Sequence, residues 1–372
     1  MATNKNQHFV PRCYLRPFTR TGAKDAISLY NVDRDIFVET APLKNQCSSD
    51  YFYGTDPALE SALQFSEGGY ATALPEILGP RYRLTEEHRE LLLRFALLQH
   101  MRTEAASLRS VLMFEGMESV IGTEIPDFKP SIKDAVLTAM RVFADNMDAI
   151  NDLKLCLIRN RTQVPFVTSD DPSVLANRWY LEDSRARGLS GGVTNSGALF
   201  FLPLTPQVAC VAYDGHAYNV SHTHGWVDVR RESDIAAYNQ HQFLNCRANV
   251  YFCDWSKRQL VRDAFISVAT IRPSARHRIN YAVFDRFEDG AKVYRSVDKS
   301  AIPEHTNAII HTQVVFARPS IWPSQIAWRR PGATFSNGTG AGYIRPGRLH
   351  REEGGGFSRQ RMNVKKGQRY LF

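Results

Sequence analysis

Asp170 and Asp171 are adjacent carboxylates that follow Ser169 at the end of an apolar run, Val164-Pro165-Phe166-Val167-Thr168. The run reads as a strand, so the acids fall at a sheet rim, a common place for sites. Two carboxylates there can hold Mg²⁺ together with substrate phosphates, or one can act as a base. Neighbours on a strand point to opposite sides, so both reach one ion only if the chain turns. Pro172 restricts Asp171 to extended geometry and makes such a turn plausible. The plainer alternative is an Asx-type turn in which Asp170 serves local backbone N–H groups.

A second group opens the chain: Gln7-His8-Phe9-Val10-Pro11-Arg12-Cys13-Tyr14-Leu15-Arg16-Pro17-Phe18. Pro11 suits a helix start, and Pro17 would clash with the carbonyl of Cys13, so a helix within 7–20 is short. A helix start disfavours imidazolium and attracts anions. His8 is then a candidate base, with Gln7 and Arg12 as ligands of a phosphate or carboxylate. Alternatively the segment is a terminal clasp whose aromatic residues fill a groove.

Gln99 and Arg102, three apart on an apolar helix, share a face. A guanidinium in a core-facing layer needs partners, and Asp170 or Asp171 and Glu60 or Glu67 are the candidates. Arg102 either binds an anionic substrate or ties the helices to a sheet by an ion pair. His100 and the stripe Tyr238, His241 and Asn245 read as packing, the stripe solvated or at an interface. His222-x-His224 has zinc-like spacing but no third ligand beside it.

These groups need elements to position them. Residues 27–32 and 36–40 predict a hairpin around Asp33-Arg34-Asp35. Asp56-Pro57 opens a helix that Gly68-Gly69 breaks or kinks. Thr85 caps a helix over 86–120, and Ser131 caps another over 135–150. Short β-rich runs follow at 153–158, 164–168, 198–202, 208–213 and 250–253, with helical patches at 232–246 and 258–264. The expected fold class is α+β: a helical layer, about 58–150, packed on a mixed or antiparallel sheet from the later strands. The body spans 1–325. From 326 onward Gly and Arg dominate and predict a mobile basic tail over 326–372.

The opening pattern Q-H-F-V-P-x-x-Y-L-x-x-F resembles the signature of the bacterial domain-of-unknown-function 4238 family. Tyr51-Phe52-Tyr53, Gln99-x-x-Arg102-Thr103, Thr168-Ser169-Asp170-Asp171-Pro172 and Leu202-Pro203-Leu204-Thr205-Pro206 follow in the order the family has them. The resemblance covers roughly residues 6–255 and implies no established catalytic residues. Asp171 stands where the family's S-D-N-P form has Asn.

The chain has 372 residues and a formal net charge of +8. The last 44 residues hold ten basic and two acidic side chains, and the first 328 balance at 36 of each. A uniformly basic nucleic-acid coat is thereby excluded for the body, and nucleic acid becomes an expected partner of the tail alone. The six scattered cysteines, with no C-x-x-C pair, argue against a disulfide scaffold. No apolar run approaches a membrane span, and the polar start leads to the expectation of a cytoplasmic protein. Walker, dinucleotide and nucleophile-elbow motifs are missing. Two functions stay open. One is a hydrolase of the nuclease or phosphodiesterase kind, in which His8, Asp170 and Asp171 do the chemistry and Gln7, Arg12, Gln99, Arg102 and Ser169 bind substrate. The other is a non-catalytic module that recognises nucleic acid or a protein. A role in bacterial conflict, such as defence against phage, is compatible with either.

Overall fold

The computed structural model describes residues 5–20, 23, 25–121, 126–186, 188–288, 290–297, 307–330, 332–351 and 356–362. Strand Asn6–His8 lies antiparallel to Ser48–Asp50. Helix α1 (Arg12–Leu15) follows Pro11 and gives way at Pro17 to a 3-10 turn, Arg16–Phe18. Proline's missing N–H and its ring end the α-helix after one turn. Tyr14, Leu15 and Phe18 are fully buried. The Tyr14 hydroxyl lies 2.7 Å from the Pro203 carbonyl, to which it donates, and 2.8 Å from Thr168 Oγ1. The opening segment is therefore clasped to the strand end that carries Ser169.

Strands Ala26–Asn31 and Ile36–Pro42 form the hairpin, with Asp35 in the left-handed region at φ +52°. The helical layer comprises α2 (Pro57–Ile77), α3 (Glu86–Met101), α4 (Glu104–Ile121) and α5 (Ile132–Asp145). Thr85 accepts from the His88 N–H, and Ser131 forms a capping box with Asp134. Two expectations fail here. Helix α2 is not broken at Gly68-Gly69. Glycine weakens a helix without forbidding it, and Tyr70, Ala73, Leu74 and Ile77 beyond the pair continue the buried face. The helix expected over 86–120 is split at Arg102-Thr103. Thr103 Oγ1 accepts from the Ala106 N–H at 3.1 Å and donates to Asp171 at 2.9 Å, so a second helix is capped there.

The later strands build a mixed five-stranded sheet in the order Trp226–Val229, Lys154–Asn160, Val208–Tyr213, Leu199–Thr205, Val174–Ala176. Only the first pair is parallel. One face (Leu155, Leu157, Phe200, Leu202, Ala212) packs under the helical layer through Leu92, Leu93, Phe95 and Leu98. The other face (Cys156, Ile158, Leu199, Phe201, Val211) packs against Trp179, Tyr218 and Trp328. Cover on both faces explains why Leu199–Thr205 and Val208–Tyr213 are buried at every position. Helix α6 (Arg178–Glu182) carries Trp179.

A four-stranded antiparallel sheet runs Ile36–Pro42, Ala26–Asn31, Asn249–Phe252, Thr168–Ser169. Helices α7 (Glu232–Asn245) and α8 (Arg258–Ala269) share a core with it around Phe243, Phe252 and Phe265. The fold is thus α+β. Strand His277–Glu288 centres a third, antiparallel sheet between 291–296 and Ala308–Val314. It packs on α4 at Gly116, where a side-chain Cβ would come within 3.0 Å of Ile279.

The boundary expected at residue 326 does not hold for the described residues beyond it. Ile326, Trp328, Tyr343 and Met362 join the core on the outer sheet face. Arg345 is 1% exposed and bonds both oxygens of Asp152, at 2.8 and 2.9 Å. It also donates to the carbonyls of Ala149, Val193 and Asn195. A segment too poor in apolar residues to fold alone can still fold onto a face that is already built. Residues 363–372, with Lys365, Lys366 and Arg369, lie outside the described residues. All six cysteines are free. Among the described residues no helix is long and apolar enough to cross a membrane.

Candidate functional site

The residues singled out above separate into two places. Gln7, His8, Arg12 and Arg102 line one cleft, together with Tyr53, Glu60 and Glu67. The Gln7 amide is spent on backbone: its Oε1 accepts from the Tyr53 N–H at 2.7 Å and its Nε2 donates to Gly54 at 2.9 Å. His8 Nε2 sits 3.2 Å from the Lys44 carbonyl. Burial, reinforced by the charges of Arg12 and Arg102, lowers the His8 pKa below the ordinary imidazole value. Arg102 is 1% exposed. Its Nε donates to the Tyr53 hydroxyl, and its Nη2 donates to the His8 carbonyl and to Glu67, all at 2.9 Å. Glu67 is therefore the ion-pair partner, not Asp170 or Asp171. Gln99 has no exposed surface, and neither amide atom has a hydrogen-bond partner.

Ser169, Asp170 and Asp171 lie elsewhere and are buried. Asp170 accepts three backbone N–H bonds at 2.8 Å, from Arg247, Ala248 and Asn249. Burial pushes its carboxyl up to about 6, against the pull of those three donors. Asp171 accepts from Thr103 at 2.9 Å, from Asn245 Nδ2 at 2.8 Å and from Arg109. One carboxylate thus faces the loop after α7, and the other faces the α3–α4 break. They do not converge on one ion, and most of their lone pairs are already taken. No group of three His, Cys, Asp or Glu side chains able to hold a metal occurs among the described residues. This replaces the picture of Asp170 and Asp171 as a shared Mg²⁺ site: the pair anchors backbone and fixes Arg109.

Helix α7 explains how that segment is held. Asn239, Gln242 and Asn245 recur every three residues along it. Asn239 bonds Pro165 and Val167, Gln242 bonds Ser169 and Pro172, and Asn245 bonds Asp171. The stripe is packed, not solvated: Tyr238 and His241 are buried and Asn245 is half-buried.

Beyond Asp171 the chain builds a cavity of about 170 Å³ that reading along the sequence did not find. Arg109 reaches it from α4, His100 from α3, and His241 and Asn245 from α7, with Arg276 and His277 completing it. His100 Nδ1 lies 3.2 Å from the Ser173 carbonyl. Burial, then the charge of Arg109, takes its pKa down to about 4. His241 stacks on Phe201 at 4.2 Å, burial takes it to about 3, and its Nε2 has no partner. Arg276 donates to the Leu244 and Asn245 carbonyls at 2.7 and 3.2 Å, at the end of α7. Burial and the nearby charge of Arg109 lower it to about 10. The same two causes lower His277. Among the described residues Asp171 is the ion-pair partner of Arg109, and Arg276 feels its charge without an ion pair of its own. Arg109, Arg276 and His277 gave no signal in the sequence; the i, i+4 pair His241 and Asn245 was visible, but its partners were not.

The chain belongs to the family described as "Protein of unknown function (DUF4238)", which matches residues 6–256. No curated protein and no solved structure matches it. His100, Arg109, Asp171, His241 and Asn245 fall within the family region, whereas Arg276 and His277 lie beyond it.

Proposed function

We propose that the chain binds the phosphate of a phosphate-containing substrate in the cavity between α4, α7 and the strand from His277, and hydrolyses it as a phosphodiesterase or nuclease does. One observation carries this reading. Arg109 and Arg276 face a single cavity opposed by one carboxylate, at a cost that lowers the Arg276 pKa. Two like charges kept together and partly desolvated are stabilised by an anion between them. Guanidiniums also match the geometry of phosphate oxygens. The cavity is below the roughly 300–1,000 Å³ of pockets that enclose a drug-sized ligand. It suits a phosphate group, with the rest of the substrate projecting outward.

The three imidazoles supply the acid–base chemistry in this reading. A neutral His100 or His241 takes a proton from the attacking water, and a second ring returns one to the leaving oxygen. A bound phosphate opposes the Arg109 charge that adds to burial in lowering His100, and so raises that ring. The low pKa values of His100 and His241 favour a second reading, recognition of a phosphate group without turnover.

The test is a titration of inorganic phosphate by thermal melting, followed by assays with RNA, DNA and a chromogenic phosphodiester, with and without Mg²⁺. Phosphate is expected to stabilise the wild type and not Arg276→Gln. Turnover that His241→Phe abolishes supports the hydrolase, and binding without turnover supports recognition. A melting temperature indifferent to phosphate sinks both.

A further inference from the structure

We infer that the cleft at the N-terminal clasp is a separate ligand site, built for a small zwitterion of the α-amino acid type. The first observation is an unfilled donor. Arg102 is 1% exposed and lines this cavity of about 150 Å³. Its Nε and Nη2 are bonded, but Nη1, with two N–H groups, has no acceptor. A buried guanidinium N–H without an acceptor is costly, and a ligand carboxylate reaching it removes that cost.

The second observation is how charge divides across the cleft. On one wall Arg12, at the exposed rim, makes no ion pair with a described residue. On the other wall, the first turn of α2 presents Asp56 and Glu60. Asp56 caps the Ala58 N–H at 2.9 Å, and Glu60 takes only a 3.5 Å bond from Gln64. Neither carboxylate makes an ion pair with a described cation. Glu67 is already held by Arg102. One unpaired cation, Arg12, and two unpaired carboxylates therefore line one small cavity without meeting, together with the unfilled Nη1 of Arg102. A molecule with a carboxylate at one end and an ammonium a few bonds away satisfies both walls. The carboxylate goes to Arg102 Nη1 and Arg12, and the ammonium goes to Glu60 and Asp56. Cys13 and Leu63 give the cavity an apolar side. The ligand's own side chain projects through the open mouth.

This inference does not depend on the phosphate cavity, which shares no residue with the cleft. The experiment uses the full chain and a panel of free α-amino acids at millimolar concentration. Melting temperature is the screen, and calorimetry follows on any amino acid that shifts it. Each such amino acid is compared with its methyl ester, which lacks the carboxylate, and its N-acetyl form, which lacks the ammonium. At least one free amino acid is expected to stabilise the protein, and both blocked forms are expected to fail. Arg12→Gln and Glu60→Gln change rim residues without ion pairs, so folding is kept. Each is expected to weaken binding about tenfold or more, the equivalent of one ion pair across the cleft. Arg276→Gln should leave this binding unchanged. A panel with no stabilising member overturns the proposal, as does equal binding by a blocked form or by both rim variants.

Discussion

Replacing Arg276 with Gln and, separately, Arg109 with Gln tests whether the cavity arginines serve a ligand or the fold. The pKa of Arg276 falls from the ordinary guanidinium value to about 10, which corresponds to about 3 kcal/mol against its charged form before solvent screening. The side chain is partly open to solvent, so about half of that is a fairer figure. Its removal also loses two bonds to the last carbonyls of α7 and a favourable end-of-helix charge. These effects are of similar size and opposite sign, so Arg276→Gln should change stability by about 1 kcal/mol or less. Arg109 differs because Asp171 beneath it is fully buried and has no other cation partner among the described residues. Breaking such a pair from one side costs about 3–5 kcal/mol. Urea titration measures both, with the variants compared at equal m-value. Repeating it in phosphate measures binding, since ligand at 100 times its Kd adds about 2.7 kcal/mol. Both variants should lose that increment. If Arg276→Gln falls as far as Arg109→Gln, or keeps the phosphate increment, Arg276 is a structural residue and the argument from unopposed charge is wrong.

Stability should also depend on pH through the buried imidazoles. His100 and His241 titrate at about 4 and about 3 in the fold and near 6.5 when unfolded. The unfolded chain takes up protons first, so their contribution is complete above neutral pH and is lost as pH falls below 6.5. At pH 5 each costs about 2 kcal/mol, and Asp170, raised to about 6, returns about 1 by protonating first in the fold. His241→Phe should remove about 2 kcal/mol of the loss between pH 8 and pH 5; an unchanged slope in urea midpoints would refute this. Arg345→Met should cost about 1–3 kcal/mol, because the carbonyls of Ala149, Val193 and Asn195 lose their charged donor, whereas Asp152 stays open to solvent. Limited proteolysis should then cut within 326–362, and resistance equal to wild type would show that the Asp152 pair does not hold the segment.

Much of the scaffold was legible residue by residue because its causes are local. Thr85, Ser131 and Asp56 cap helices through bonds to N–H groups two or three residues on. Pro11 and Pro17 bound the first helix by sterics within one turn, and Tyr14, Leu15 and Phe18 form the buried clasp. The β-rich runs after residue 150 are strands of the two larger sheets, except that 164–167 is irregular and only Thr168–Ser169 pairs there, and the opening motif places the chain in its family. The meeting of Gln7, His8, Arg12 and Arg102 in one cleft was not legible, because it needs the opening segment to fold back onto the end of α3. The direction of each carboxylate was not legible. Asp170 and Asp171 are neighbours in the chain, yet they serve a loop 77–79 residues away and a helix break 68 residues away. Nothing near them in sequence distinguishes an ion ligand from an anchor; only the arriving N–H groups and Arg109 do.

The sequence by itself determined the α+β class, the capped helices, the N-terminal clasp and the family. Each rests on neighbours within a few residues or on a recurring pattern of types. The tertiary structure alone decided that Gly68-Gly69 stays helical, that Arg102-Thr103 divides two helices and that the described residues of 326–362 belong to the core. It also gathered His100, Arg109, His241 and Arg276 around one cavity. The reason is physical: burial, like-charge repulsion and unfilled hydrogen-bond donors are properties of a place in the fold, and residues 100, 109, 241 and 276 share a place only after the chain has packed.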